Sequence, residues 1–229
     1  MIVYYRLSHA KSSASNPPPI YAEDQFKLNE LSLTSYILGY GDIKPKTVFI
    51  CDFCPKELYQ PLLDKFPFEK EIYWTEKGIN ETCLMQYELA EKQDDDVLFQ
   101  ECDYLHRPMI GTIMERAIQK YGLVSPYDNL NFYIDRNMHS PFVEIDLINN
   151  QHFRTVERST MTFGMSNKMF KDNVDILKKW GYLDADVWFE LSARNAILHV
   201  PIPSLSTHLA KDFMAPGLEW QKLIDLYGK

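Results

Sequence analysis

The sequence contains no apolar run approaching the ~20 residues that a bilayer-spanning helix needs. Its first residues, MIVYYRLSHAK, do not combine a basic segment with a long apolar one, so no secretory leader is visible. From these two absences we expect a soluble, cytoplasmic protein without a transmembrane segment.

Basic residues are outnumbered by acidic ones. The chain has 24 Lys and Arg against 32 Asp and Glu, which gives a formal net charge of −8. Because binding along a phosphate backbone requires a basic face, we expect no nucleic-acid partner. An anionic small molecule could still bind through a metal ion or a few local cations.

Cysteine is scarce, with four residues in the whole sequence. Cys51 and Cys54 form one C-x-x-C, but no second pair and no H-x-H lies at the regular spacing of a zinc site. Cys51 also belongs to the apolar run TVFIC, which is typical of a buried strand. Core packing is therefore favoured over zinc binding or thioredoxin-like chemistry.

The first 125 residues alternate between predicted strands and helices. Strands are predicted at 1–7, 47–51, 71–75 and 96–100, and helices at 22–40, 55–66, 81–92 and 110–122. This alternation is typical of an α/β fold with a mostly parallel sheet flanked by helices. Residues 126–165 carry short β-branched and aromatic runs that predict hairpins. We expect a single domain, 1–229, whose second half, 126–229, is a smaller mixed β/α portion.

Two carboxylates follow the fourth predicted strand, at Glu101 and Asp103. Ligands of open α/β sheets bind beyond the carboxyl ends of the strands. Paired carboxylates repel each other unless a positive group lies near them, and a hard divalent cation that bridges a diphosphate would serve. A solvated loop whose acids cap the helix near Pro108 explains the same spacing equally well.

Four ordered segments resemble a group of small bacterial and viral glycosyltransferases of the GT-A fold, which use nucleotide sugars. The segments are ECDYLHRP, VSPYDNLNFY, HFRTVERSTMTFGMS and PIPSLSTHLAKDFMAPGLEW. The resemblance runs from about residue 75 to residue 220. It departs from the family at Cys102, where the family usually has Asp, so that an E-x-D arrangement remains.

The resemblance implies a metal site and a diphosphate site. Asp103 would bind Mn²⁺ or Mg²⁺, Glu101 would face the ribose, and Cys102 would favour the softer Mn²⁺. His208 would be a further protein ligand, although a lone His at a strand end is more often a surface or hydrogen-bonded residue. Lys211 would meet the diphosphate, or is simply solvated.

The nucleotide pocket of GT-A folds is built from the ends of the first strands, which nominates Arg6, Leu7 and Ser8. Asp52 could accept the imide N–H of uracil, or cap the helix that begins near Pro55. Asn80 could face the nucleotide, but we expect it to be the N-cap of the third helix.

On the acceptor side, inverting transfer needs one general base. The resemblance makes Asp186 the first candidate and Asp184 the second, because the family places an acid before a D-x-x-[LF] turn here. Both acids also open a predicted helix whose dipole favours ionised carboxylates. Plain helix capping explains each acid as well. The resemblance nominates Arg154, Thr160 and Thr162 for the acceptor. Other aromatic residues could stack on a sugar, although core packing is commoner for them: Trp180, Tyr182 and Trp188.

Together these features predict a metal-dependent, inverting glycosyltransferase that moves a sugar from a nucleoside-diphosphate donor, most simply a UDP-sugar, to a glycan hydroxyl. A nucleotidyltransferase is the first alternative, but it would need an early Gly-rich phosphate loop, which SHAKSSASN does not provide. A non-catalytic glycan-binding module is the second.

Overall fold

The computed structural model describes residues 1–10, 17–134 and 144–228, and within these ranges the chain forms eleven strands and eight α-helices. The strands are β1 (Ile2–Ser8), β2 (Lys46–Asp52), β3 (Lys70–Thr75), β4 (Val97–Glu101), β5 (Tyr104–His106), β6 (Leu123–Val124), β7 (Ile145–Ile148), β8 (Gln151–Val156), β9 (Phe163–Met165), β10 (Leu198–Ile202) and β11 (Ser206–His208). The helices are α1 (Gln25–Tyr40), α2 (Lys56–Asp64), α3 (Ile79–Glu91), α4 (Gly111–Tyr121), α5 (Asn131–Ile134), α6 (Asn167–Trp180), α7 (Asp184–Ala193) and α8 (Trp220–Tyr227).

Nine strands form one sheet in the order β3-β2-β1-β4-β9-β6-β10-β8-β7. The four strands β1 to β4 are parallel, whereas β9 runs antiparallel between β4 and β6. The parallel register pairs Ser8 with Asp52 and Arg6 with Glu101, so the carboxyl ends of β1, β2 and β4 meet at one edge. The predicted α/β class is confirmed.

The central strands are buried on both faces, as their continuous apolar runs indicate. On one face Tyr4, Phe99 and Phe163 pack with α3, α6 and α7. On the other face Tyr5 and Phe49 pack with α1, α2 and α4. Burying each of these side chains, relative to leaving it exposed to water, stabilises the fold by about 1.5–3 kcal/mol before chain entropy is counted. The sheet is therefore well packed on both faces.

A two-stranded antiparallel ribbon, β5 with β11, lies outside the main sheet and pairs Tyr104 with His208. It is held by a third apolar cluster that joins it to α1 and α8, including Leu28, Trp220 and Ile224. The ribbon brings the C-terminal part of the chain back to the end of β4.

Two predictions about helix starts need correction. Helix α1 begins at Gln25, three residues later than predicted, because Asp24 caps it by accepting the N–H of Lys27 at 3.0 Å. Asn80 is not the N-cap of α3. Gly78 occupies that position at φ 89°, a left-handed conformation that favours glycine.

The hairpins predicted for residues 126–165 are found only in part. β7 and β8 form one antiparallel hairpin, whereas residues 126–134 form a loop and the short α5. Residues 163–165 form β9, which pairs with β4 and β6 instead of forming a hairpin, and residues 135–143 lie outside the described residues. No helix in the described ranges is long and apolar enough to cross a membrane.

Candidate functional site

A cavity of about 420 Å³ opens at the carboxyl ends of β1, β2 and β4. Its volume lies within the range of about 300–1,000 Å³ that small-molecule sites occupy. The structure brings seven of the predicted site residues into its lining: Arg6, Leu7, Ser8, Asp52, Glu101, Cys102 and Asp103. The open-sheet rule explains the grouping, since parallel strands end at the same edge.

Glu101 is paired with Arg6 across two neighbouring strands. Arg6 Nη2 donates to Glu101 Oε1 at 2.8 Å, and Arg6 Nη1 donates to the carbonyl of Ile79 at 3.4 Å. Burial raises the pKa of Glu101; Arg6 opposes this effect, and the negative charges of Asp103 and Asp184 add to it. Arg6 is itself almost fully buried, and its Nε has no hydrogen-bond partner.

Asp103 is paired with His208, which β11 delivers from the far end of the chain. His208 Nε2 lies 3.0 Å from Asp103 Oδ2. Burial favours the neutral form of each group, but their mutual attraction outweighs it, so the pKa of Asp103 is lowered and that of His208 is raised. The ring of Tyr104 packs against the imidazole at 5.2 Å and fixes its orientation.

Asp103 and His208 fit a divalent cation. Asp103 Oδ1 is buried and has no hydrogen-bond partner, so it is available as a ligand. Asp103 Oδ2 and His208 Nε2 are joined by a hydrogen bond of 3.0 Å, so a cation that binds both atoms would displace the proton between them. No group of three or more His, Cys, Asp or Glu side chains among the described residues is arranged to hold a metal, so such an ion would take its other ligands from substrate and water.

The cysteines are all free thiols. Burial, followed by the charge of Asp103, raises the pKa of Cys102, so this wall of the cavity carries a neutral thiol. A hydrogen bond with Cys51, followed by burial, raises the pKa of Cys54. These neutral thiols are poor metal ligands, because the thiolate is the form that binds metals.

Asp52 is not the predicted cap of α2, which begins behind Pro55 without a side-chain cap. Its carboxylate accepts the N–H of Lys77 at 2.9 Å and the N–H of Gly78 at 3.2 and 3.1 Å. These two residues directly precede α3, so Asp52 fixes the segment that leads into that helix, which itself has no side-chain cap.

Two of the predicted nucleotide contacts lie outside the cavity lining. Asn80 is exposed, and its amide oxygen lies against Gly181, just after α6. Lys211 is exposed at the start of a 3-10 helix, Lys211–Phe213, where its N–H donates to the carbonyl of Pro17 at 3.1 Å.

The residues nominated for the acceptor mainly support the site. Thr162 is fully buried, and its hydroxyl accepts the N–H of Glu101 at 3.2 Å, so it holds the end of β4 in place. Thr160 accepts the hydroxyl of Tyr104. Arg154 is ion-paired with the buried Asp128 at 2.6 Å, which anchors it within the fold.

Asp184 and Asp186 both lie exposed in the first turn of α7. Asp184 is near enough to Glu101 for its charge to help raise the pKa of Glu101. This electrostatic interaction with Glu101 involves Asp184, the second of the two candidate bases. Trp188 packs in the core 5.2 Å from Phe163, Trp180 packs against the same cluster, and Tyr182 is exposed.

Sequence reasoning missed several cavity-lining residues: Ala10, Gln25, Phe53, Gly78, Ile79 and Thr82. Phe53 follows directly after β2, so its position at the sheet edge could have nominated it. Gln25 belongs to α1, and its approach to the cavity depends on how α1 packs across the sheet. No pattern in the sequence reports that packing.

No family model matches the sequence, and no curated protein matches it. The fold is similar to solved structures. A protein from Bacillus anthracis described as a glucose-1-phosphate thymidylyltransferase has a TM-score of 0.58 and 12% identity, covering 100% of this chain and 96% of that chain. The inositol-1-phosphate CTP transferase from T. maritima has a TM-score of 0.56 and 10% identity, covering 100% and 96%.

The galactosyltransferase LgtC has a TM-score of 0.47 and 10% identity, covering 83% of this chain and 69% of that chain. At such identities the two higher-scoring similarities show the fold alone. The chain shares with these two structures an α/β fold that has a large mixed central sheet flanked by helices.

Proposed function

We propose that the protein is a metal-dependent glycosyltransferase that moves a sugar from a nucleoside-diphosphate donor, most simply a UDP-sugar, to a glycan hydroxyl with inversion. One observation carries the proposal. Asp103 lines the cavity, and His208, from the opposite part of the chain, brings a second potential ligand atom within 3.0 Å of it. Asp103 also retains a free buried oxygen there.

In this proposal Asp103 and His208 hold Mn²⁺ or Mg²⁺ beside the donor diphosphate. When bound, the ion neutralises the negative charge that develops on the diphosphate as the sugar leaves. Arg6 fixes Glu101 beside the cation, where its carboxylate can accept hydrogen bonds from the ribose hydroxyls. Cys102 contributes a neutral wall between the two acids.

The donor base would lie over Phe53 and Ile79, which expose apolar surface to the cavity. Asp52 Oδ2 accepts a single N–H, from Gly78. It therefore keeps acceptor capacity for the imide N–H of uracil, which supports UDP over nucleotides that present an acceptor at that position.

Deprotonation of the acceptor hydroxyl is assigned to α7. Asp184 is the residue whose charge reaches Glu101, and Asp186 lies two residues further along the same turn. Both carboxylates are exposed in the first turn of α7, where either could accept the proton of the acceptor hydroxyl.

A nucleotidyltransferase is the second candidate, because the two higher-scoring structural matches carry such names. That reaction requires a loop that cradles a triphosphate, commonly rich in glycine. The first glycine of this chain is Gly39, far beyond the loop that follows β1. The lack of an early glycine favours glycosyl transfer.

The experiment compares thermal unfolding with and without Mn²⁺ and UDP-sugars for wild type, Asp103→Asn and Asp225→Asn. A ligand at 100 times its Kd stabilises the folded state by about 2.7 kcal/mol. We expect this protection in wild type and in Asp225→Asn, which changes an exposed acid on α8, and its loss in Asp103→Asn.

Product analysis separates the two candidates. Slow, Mn²⁺-dependent release of UDP from a UDP-sugar supports glycosyl transfer, whereas pyrophosphate released from UTP and a sugar 1-phosphate supports the nucleotidyltransferase. Undiminished metal-dependent protection in Asp103→Asn would rule out the proposed ligand.

A further inference from the structure

A second groove, of about 430 Å³, lies along α7. It is lined by Glu157, Arg158, Ala185, Trp188, Phe189, Ser192 and Ala193. None of these residues lines the cavity at the carboxyl ends of β1, β2 and β4, called the donor cavity from here on. Its volume falls within the range of about 300–1,000 Å³ for small-molecule sites.

Two elements that line the groove also reach Glu101. Helix α7 starts at Asp184, whose charge reaches Glu101, and its next turns line the groove. The loop between β8 and β9 supplies Arg158 to the groove and, four residues later, Thr162 to the backbone of Glu101. Both elements therefore extend from the groove to residues that act on Glu101.

The lining combines an apolar platform with polar groups. The Phe189 side chain is 76% exposed, which is unusual for an aromatic ring unless it meets a partner. Arg158 is half-buried and has no carboxylate partner among the described residues. Glu157 and Ser192 are exposed and add an acceptor and a hydroxyl.

We propose that this groove binds the acceptor saccharide, with one pyranose ring stacked on Phe189 and its hydroxyls hydrogen-bonded to Arg158, Glu157 and Ser192. A pyranose ring has one face of C–H groups and a rim of hydroxyls, which complements an aromatic ring surrounded by polar side chains. The proposal rests on the proposed function, since it supplies the acceptor site for the same reaction.

The test uses the full chain with Mn²⁺ and UDP on an array of printed oligosaccharides. We expect wild type to bind a subset of them and Phe189→Ala to bind the same subset about tenfold more weakly, as expected for the loss of one stacking contact. Leu226→Ala is the matched control, because Leu226 is similarly exposed but lies on α8, away from the groove.

Equal binding by wild type and Phe189→Ala, or no binding by wild type, would overturn the groove assignment. Thermal protection of wild type by UDP and Mn²⁺ is measured on the same preparations. If UDP and Mn²⁺ do not protect wild type, the proposed function is contradicted. The array comparison tests only whether the groove binds the saccharide.

Discussion

Glu101 and Asp103 illustrate at the residue scale how two carboxylates can lie together at a buried edge. Removing a carboxylate from water costs several kcal/mol, which must be offset by a well-placed partner. Here each acid has its own partner, Arg6 for Glu101 and His208 for Asp103. The repulsion between the two carboxylates, from which we predicted a metal ion, is thus already reduced by two side chains. This edge of the sheet can therefore form without substrate.

His106 in β5 supplies a prediction about acid stability. Its side chain is fully buried, with Nδ1 2.6 Å from Ser206 Oγ and Nε2 without a partner. Burial lowers its pKa from 6.5 to about 3. Between these two values the unfolded chain binds a proton that the folded chain does not, so the free energy of unfolding falls as the pH falls.

We expect this one group to remove about 2 kcal/mol of stability between pH 7 and pH 5. Urea unfolding of wild type and His106→Gln at the two pH values measures it. The variant should be less stable at pH 7, because it disturbs a packed site, but should lose about 2 kcal/mol less on acidification. Parallel losses in the two proteins would show that His106 does not titrate as described.

At the element scale, the start of α3 depends on a neighbouring strand. Asp52, the last residue of β2, accepts the N–H groups that precede α3. Gly78 and Ile79 at this helix start also line the donor cavity. The helix end and the proposed nucleotide site are therefore coupled through one carboxylate.

Replacing Asp52 with Ala should cost about 1–2 kcal/mol of stability, because the N–H groups of Lys77 and Gly78 lose their hydrogen-bond partner. Protection by UDP and Mn²⁺ should be lost as well, because the cavity loses both its wall and its uracil acceptor. Ser166→Ala is the control, since Ser166 caps α6 by accepting the N–H of Met169 and does not line the cavity. Denaturant unfolding with and without UDP measures both quantities. If UDP and Mn²⁺ still protect Asp52→Ala, Asp52 has a structural role only and does not bind the nucleotide.

At the scale of the whole molecule, β9 joins the two halves of the chain. It belongs to residues 126–229, yet it pairs with β4 on one side and with β6 on the other. Gly164 allows this close packing, because a Cβ at that position would lie 2.4 Å from Ile118 Cδ1. The sheet is therefore not divisible at residue 125.

We predict that the chain unfolds as one cooperative unit. Scanning calorimetry should give a single transition whose calorimetric and van't Hoff enthalpies agree. A fragment of residues 1–125 should not fold, because β4 and β6 would both lack their common neighbour. Two separate transitions, or a folded fragment, would contradict the expectation of a single domain.

The parallel strands β1 to β4 were predictable because they are apolar runs of five to seven residues that alternate with helix-like segments. Each predicted strand there lies within two residues of the observed one. The later strands β6, β9 and β11 were not predictable, because they have only two or three residues. Runs that short carry no periodicity, and their pairing depends on distant partners.

The order of residues by itself determined that Glu101 and Asp103 would stand at the edge where the strands end, because parallel strands joined by helices deliver their carboxyl ends to one side. Only the tertiary structure decided which basic side chain pairs with which acid. Arg6 is 95 residues from Glu101 in the chain, and Asp103 is 105 residues from His208. Contacts at such separations are set by the packing of whole elements, which local propensity and spacing do not encode.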